Sequence, residues 1–155
     1  MKRDFTQRFG FLVNDVAKLY GEIFDRLARE RIGLSRAQCR LLGALAMHDD
    51  ERPMSQIELA HRLGLSAMSV ASLCDRMAAA GWIRRQPSAS DRRVNEVHLE
   101  SQAEQALDAA LTIGDTLHSQ ALSGLTPAER AQLLALLGKA RTSLVRLTAN
   151  AQVLP

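Results

Sequence analysis

The chain concentrates its positive charge in one short stretch. Residues 76–93 contain Asp91 as their single acid and five arginines, Arg76, Arg84, Arg85, Arg92 and Arg93. The formal net charge of the whole chain is only +3, so this local surplus is more informative than the total. A guanidinium group forms paired hydrogen bonds with phosphate and with base edges, which an ammonium group cannot match. The stretch therefore indicates either a nucleic-acid contact or a solvated basic face.

A helix-turn-helix pattern leads into this stretch. Residues 55–62 predict a short helix, residues 63–65 a turn, and Ser66 the cap of a second helix that ends at Gly81. Gly64 can adopt the left-handed conformation that ends the first helix. The two helices share an inner apolar face made of Leu59, Leu63, Leu65, Val70, Leu73 and Met77. Small side chains near the start of the second helix would allow close entry into the major groove of DNA.

Two half-alternating runs after Gly81 predict a β-hairpin with a long basic loop. The runs are residues 82–85 and 94–99, and the loop between them is rich in Pro, Ser and Asp. A helix-turn-helix followed at once by a hairpin is a winged helix, whose tip at residues 88–93 would reach the adjacent minor groove. Narrow minor grooves concentrate negative potential and attract arginine. We expect Arg92 or Arg93 to be the inserted group, with Asp91 holding it extended.

The sequence thus predicts a DNA-binding surface built from helix starts, the outer face of the second helix and the hairpin. Its candidate residues are Ser55, Gln56, Ser66, Ala67, Met68, Ser69, Ser72, Arg76, Arg84, Arg85, Ser88, Asp91, Arg92 and Arg93. A winged helix used only for protein contacts is an alternative, but it would leave the clustered arginines without a reason. Enzyme activity is not expected, because we find no nucleophile elbow, no phosphate-binding glycine loop and no carboxylate pair with a partner histidine.

Long apolar helices are predicted at both ends of the chain. In residues 5–31, apolar side chains recur at alternating spacings of four and three, and a second apolar row lies beside the first. Apolar side chains also recur at helical spacing in residues 101–122 and in the helix that begins near Thr126. A Ser or Thr paired with Glu or Gln three residues later marks capping boxes at Ser35, Ser55, Ser101 and Thr126. The apolar rows could pack within the chain, but we expect them to form a dimerisation bundle.

The length of 155 residues predicts one domain, mainly α with a small β-hairpin wing, an α+β fold. Residues 35–99 would form a winged-helix DNA-binding lobe, and residues 1–34 and 100–155 a helical dimerisation region. No apolar run approaches the ~20 residues of a membrane helix, so we expect a cytoplasmic protein without a signal peptide or a membrane partner. His48 with residues 49–51 indicates an acidic surface turn and not a metal site, and no cofactor is expected.

The sequence resembles the MarR family of regulators, and in particular its SlyA-like branch. The resemblance spans nearly the whole chain and rests on residues 34–38, 55–60, 73–77 with Gly81, 90–93 and 125–130. The wing segment Ser90, Asp91, Arg92 and Arg93 is the most specific. The resemblance implies a homodimer with one winged helix per subunit, held together by the first, fifth and sixth helices. The sequence departs from the family pattern at Ser72, where SlyA-like members tend to carry an arginine that contacts guanine.

The resemblance also implies a small-molecule site in the crevice between the dimerisation bundle and the DNA-binding lobe. The candidate effector residues on the first two helices are Tyr20, Phe24, Cys39, Leu42 and Gly43, and core packing explains each of them equally well. We expect a repressor that occupies a palindromic operator, with half-sites roughly 10 bp apart, and that a small aromatic ligand releases. Cys39 and Cys74 leave open a thiol-based redox sensor of the same fold, although buried cysteines are usually small core residues.

Overall fold

The structure is a computed structural model that describes residues 4–48 and 52–149. The acidic turn predicted at residues 49–51 lies outside these residues. The chain forms two compact units, one ending at Leu117 and the other beginning at His118. Within the described ranges, no helix has both the length and the apolar character needed to cross a membrane.

Six helices and three short strands make up the described chain, which confirms a mainly α fold with a small β-sheet. The helices are α1 (Phe9–Ile32), α2 (Arg36–Ala46), α3 (Gln56–Leu63), α4 (Ala67–Ala79), α5 (Gln102–Ala121) and α6 (Pro127–Ala149). The strands are β1 (Met54–Ser55), β2 (Ile83–Pro87) and β3 (Asn95–Leu99).

Three of the four predicted capping boxes are present. Ser35 with Gln38 and Ser55 with Glu58 begin α2 and α3, and Thr126 with Glu129 begins α6. The start of α5 is different, because its first turn is closed by backbone bonds from the Glu104 N–H to the Ser101 carbonyl and from the Ala103 N–H to the Glu100 carbonyl. The prediction of a side-chain box at Ser101 was therefore wrong, because backbone groups and not the Ser101 and Glu104 side chains close this turn.

The strands form an antiparallel sheet in the order β1-β3-β2. The hairpin of β2 and β3 confirms the predicted wing, but β2 runs on to Pro87, which pairs with Asn95, so the loop covers residues 88–94 and not 86–93. Proline is tolerated there because β2 is an edge strand. β1 was not predicted from the sequence, and its two residues pair with Val97 and Glu96. A strand this short shows no alternation, and its pairing depends on a distant segment.

The core of the first unit lies between the helix-turn-helix and α2. Leu41, Leu59, Val70 and Met77 are fully buried there, and Ile83 of β2 and Val97 of β3 join the same cluster. Gly64 has a φ of 66° and ends α3 in the left-handed conformation, as the sequence predicts. The shared inner face of α3 and α4 is thus confirmed except at Leu65, which is 38% exposed, and it fixes which face of α4 remains in solvent.

Two helices leave apolar side chains uncovered within the single chain. The first part of α1 exposes Phe9, Phe11, Leu12, Val13, Val16, Leu19 and Ile23. In the second unit, no residue of α6 is buried, and its exposed apolar residues are Leu134, Leu136, Leu137, Leu144, Val145 and Leu147. Exposed apolar rows of this length are unusual for a surface that stays in water.

Candidate nucleic-acid interface

The start of α4 is built by two serines. Ser66 accepts a hydrogen bond from the backbone N–H of Ser69 at 3.1 Å, and its hydroxyl donates to the Ser69 hydroxyl at 2.8 Å. This cap satisfies one of the free N–H groups at the helix start and leaves the end of the helix dipole facing solvent. The start of α4 is thus ordered, exposed and suited to an anionic partner.

The outer face of α4 carries the side chains that the sequence predicts for it. Val70, Leu73, Cys74 and Met77 are buried on the inner face. The predicted residues Ala67, Met68, Ser69, Ser72 and Arg76 are all in solvent, and so are Asp75 and Ala79. Arg76 Nη1 donates to the Ser72 hydroxyl at 3.4 Å, one turn earlier in the helix. The result is a narrow face of small side chains, with longer ones only at Met68 and Arg76.

The hairpin is fastened to the protein by two ion pairs. Arg85 Nη2 lies 2.7 Å from Asp75 Oδ1 on α4, and Arg84 Nε lies 3.3 Å from Glu100 Oε1. Both arginines are candidates for DNA contact from the sequence, but each has an acidic partner within the protein. Sequence reasoning missed Asp75 and Glu100, although an acid on the outer part of α4 close in sequence to a run of arginines was a usable signal.

The hairpin also begins and ends at nearly the same place. The Glu100 N–H donates to the Trp82 carbonyl at 3.1 Å. Gln102 Nε2 donates to the Ala80 carbonyl at 2.9 Å, which supplies a partner for the carbonyl end of α4. Gly81 lies between them with a φ of 76°, a conformation that suits glycine. These bonds close the segment from residue 81 to residue 102 into a loop anchored at its two ends.

The tip of the hairpin presents an arginine held by an acid. Arg93 Nε and Nη2 donate to the two carboxylate oxygens of Asp91, each at 3.2 Å, and the Arg93 backbone N–H donates to Asp91 Oδ1 at 3.0 Å. The Arg93 guanidinium, together with this N–H, holds the pKa of Asp91 below its usual range. The Arg93 side chain remains 91% exposed, and Arg92 is also exposed. The geometry matches the predicted arrangement, with Arg93 as the arginine that Asp91 holds.

Three candidate residues have side chains that are buried or partly buried. Ser88 is buried, and its hydroxyl bonds to that of Ser90 at 3.0 Å, so it shapes the turn of the tip. Ser55 is also buried, and its hydroxyl donates to Glu58 Oε2 at 2.8 Å. Gln56 is partly buried, and its Oε1 has no hydrogen-bond partner within the described ranges. The hydroxyls of Ser55 and Ser88 are thus occupied in local folding, and the contact of these two residues with DNA stays a prediction.

The five candidate effector residues lie in different surroundings within the described part of the chain. Cys39 and Leu42 are buried in the core, and the Tyr20 hydroxyl donates to the Gly114 carbonyl at 3.4 Å. Phe24 packs against the core, and Gly43 faces open space. A cavity of about 500 Å³ does lie between α1 and α2, but it is lined by Lys18, Gly21, Glu22, Asp25, Arg36, Ala37 and Arg40. Its lining is charged, and the sequence analysis named none of these residues for a ligand.

Both cysteines are buried and free. Burial raises the pKa of the Cys39 and Cys74 thiols to about 11, so both are protonated at neutral pH. Because the thiolate is the reactive form, these environments favour small core residues over a redox switch. Within the described residues, we find no group of histidine, cysteine and carboxylate side chains placed to hold a metal ion.

Comparisons with known proteins agree with this geometry. A MarR family model matches residues 32–94, which include the helix-turn-helix and most of the hairpin. Apo MarR from E. coli is 22% identical with a TM-score of 0.76, over 85% of this chain and 96% of that one. The DNA complex of MepR from S. aureus is 22% identical with a TM-score of 0.72, over 87% and 97%.

A further similar structure is BpsR from Bordetella bronchiseptica, whose DNA binding is regulated by 6-hydroxynicotinic acid. It is 21% identical with a TM-score of 0.73, over 91% of this chain and 98% of that one. At these identities the likeness establishes the fold. The chain therefore has the MarR-type winged-helix fold, and its segment 32–94 is similar to the MarR family.

Proposed function

We propose that this chain is a sequence-specific DNA-binding transcriptional regulator, with α4 in the major groove and the hairpin tip in the adjacent minor groove. The observation that carries the proposal is the exposed Asp91–Arg93 pair on a hairpin that an ion pair fastens to α4. An exposed arginine held by a neighbouring acid, next to a serine-capped helix whose outer face carries mostly small side chains, suits B-form DNA. The likeness in fold to MepR, whose structure contains DNA, supports the same reading.

We propose further that the protein acts as a homodimer. The exposed apolar rows of α1 and α6 support this, because a second copy would remove them from water. Residues 35–99 would then form the DNA-binding lobe, and residues 1–34 and 100–155 the dimerisation region. A two-fold dimer would bind a palindrome with half-sites about one helical turn, roughly 10 bp, apart. Occupying such an operator would repress transcription, and the protein would act in the cytoplasm, where its DNA lies.

A small aromatic acid is the effector class that we propose. The support is the likeness in fold to BpsR, which 6-hydroxynicotinic acid regulates. The arginines beside the α1–α2 cavity, Arg36 and Arg40, would offer partners for a carboxylate. The candidate ligand-binding residues are the five predicted from the sequence, Tyr20, Phe24, Cys39, Leu42 and Gly43, together with those that line this cavity. The assignment to a SlyA-like branch stays a prediction.

The test is to select bound duplexes from a random pool with the purified protein, and then to measure affinity against salt. We expect a palindromic consensus and a linear fall of log affinity with log salt, with a slope of about −0.9 for each phosphate contact. Failure to enrich any duplex, or an affinity that does not change with salt, would contradict the proposal and favour a module for protein contacts. Aromatic acids would then be added to the selected complex to look for release.

A further inference from the structure

Met68 is the most exposed large apolar residue of the described chain, with 83% of its surface in solvent. It is the second residue of α4, one position after Ala67, which is also exposed. An apolar side chain this exposed on a monomer has no folding role, because it removes no surface from water. Its place at the start of the outer helix face therefore points to a binding role.

The polar side chains around Met68 are short and only partly engaged. The Ser66 hydroxyl donates to the Ser69 hydroxyl, and the Ser72 hydroxyl accepts from Arg76, so Ser69 and Ser72 each keep one O–H to donate. The start of α4 thus offers a partner short hydroxyl donors and one long apolar side chain. Met68 therefore supplies the apolar contact that this turn can make with a base.

The charges around Met68 fit DNA better than an apolar protein partner. Arg76 shares the outer face of α4, and the one acid on that helix, Asp75, is paired with Arg85. An apolar protein partner would have to desolvate these charges, whereas a DNA groove flanked by phosphates complements them. In the major groove, thymine alone among the four bases carries a methyl group.

We propose that Met68 reads the 5-methyl group of thymine in each half-site of the operator. This inference rests on the proposed function, and it specifies which base the start of α4 prefers. The thioether side chain is long and flexible, so it can cover a methyl group without the exact geometry that a hydrogen bond needs. Recognition of thymine through its methyl also provides base contact in a helix that has Ser72 in place of the arginine expected from the resemblance.

The experiment replaces thymidine by deoxyuridine, one position at a time, in a palindromic duplex selected from a random pool. Deoxyuridine lacks only the methyl group, so base pairing is unchanged. For the parent protein, we expect about four-fold weaker binding for each methyl that Met68 covers, which is the worth of burying one such group. Met68→Ala should bind the thymidine and deoxyuridine duplexes equally well, and Met68→Leu should retain the discrimination.

Met47→Ala is the matched control, because Met47 is also well exposed but lies at the end of α2. It should discriminate as the parent does. Thermal unfolding should be the same for all variants, since both side chains lie in solvent. A parent protein indifferent to deoxyuridine at every position would overturn the inference, and so would equal discrimination by the parent and Met68→Ala. A protein that enriches no duplex would instead overturn the proposed function, and this inference with it.

Discussion

Arginine side chains in the basic stretch fall into two groups that the sequence does not separate. Arg84 and Arg85 pair with Glu100 and Asp75 and so hold the hairpin in place. Arg93 pairs only with its near neighbour Asp91 and extends into solvent. The difference follows from the acids within reach, Asp75 on α4 and Glu100 after β3, whose positions are not visible in a run of charges. The two groups should therefore respond differently to substitution.

For Arg93→Ala we expect at least about ten-fold weaker binding to the selected operator, because one guanidinium contact with DNA is lost. The salt slope should become shallower, and dimerisation should not change. Binding can be measured by fluorescence anisotropy and the oligomeric state by sedimentation. Arg26→Ala, on an exposed position of α1, is the matched control and should bind as the parent does. Unchanged affinity in Arg93→Ala would refute the assignment of the tip.

The Asp75–Arg85 pair can be tested for a positioning role by a double-substitution cycle. If the pair orients the hairpin, Asp75→Asn and Arg85→Gln should each weaken operator binding by a similar factor. The double variant should then be no worse than either single one. Stability should change by less than about 1 kcal/mol, because the pair is partly exposed. Tighter binding by Asp75→Asn would show instead that Arg85 contacts phosphate and that Asp75 restrains it.

Helix starts are the elements that the sequence predicts best, since a capping box is local and needs only residues three apart. The helix-turn-helix was predicted equally well, because the spacing of its apolar residues and the position of Gly64 define it. What could not be predicted depends on distant contacts. β1 exists only through its pairing with β3, and the burial of Ser88 arises from the fold of the tip. The candidate effector residues could not be told from core residues by sequence either, since Cys39 and Leu42 are buried in the core.

The capping box at the start of α3 should be sensitive to acid. Arg52 and the Ser55 groups lower the pKa of Glu58 from 4.5 to about 2. The carboxylate therefore contributes stability above its ordinary pKa, and this is lost as the pH falls from about 4.5 towards 2. Urea unfolding should show Glu58→Gln less stable than the parent at pH 6, with the difference shrinking in that range. A difference that does not vary with pH would mean that the charge of Glu58 is unimportant.

Ser55→Ala removes the other half of the same box. We expect a loss of about 1 kcal/mol in the free energy of unfolding, as is usual when an N-cap hydroxyl is deleted. Because the Ser55 side chain is buried and occupied by Glu58, operator binding by the folded variant should not change. Affinity reduced well beyond what the stability loss explains would restore Ser55 as a DNA contact.

For the chain as a whole, the apolar rows on α1 and α6 are the surface that a single copy leaves exposed to water. Leu144 lies on the row of α6 and is about half exposed. Leu144→Glu should leave the secondary structure intact, convert the dimer to monomer in sedimentation, and weaken operator binding strongly, because the two half-sites would no longer be bound together. Gln132→Glu adds the same charge at an exposed polar position of α6 and should remain dimeric. A dimeric Leu144→Glu would place the interface elsewhere.

The hairpin is closed at its base, so its tip can vary without changing the rest of the fold. Since the Trp82–Glu100 and Ala80–Gln102 bonds bring both ends of the segment to one point, α5 leaves from the same position whatever lies between them. Insertions, deletions or exchange of the tip at residues 88–94 would not alter the path of the chain beyond it. The tip is therefore the segment through which such a protein could acquire a new target without rebuilding the rest.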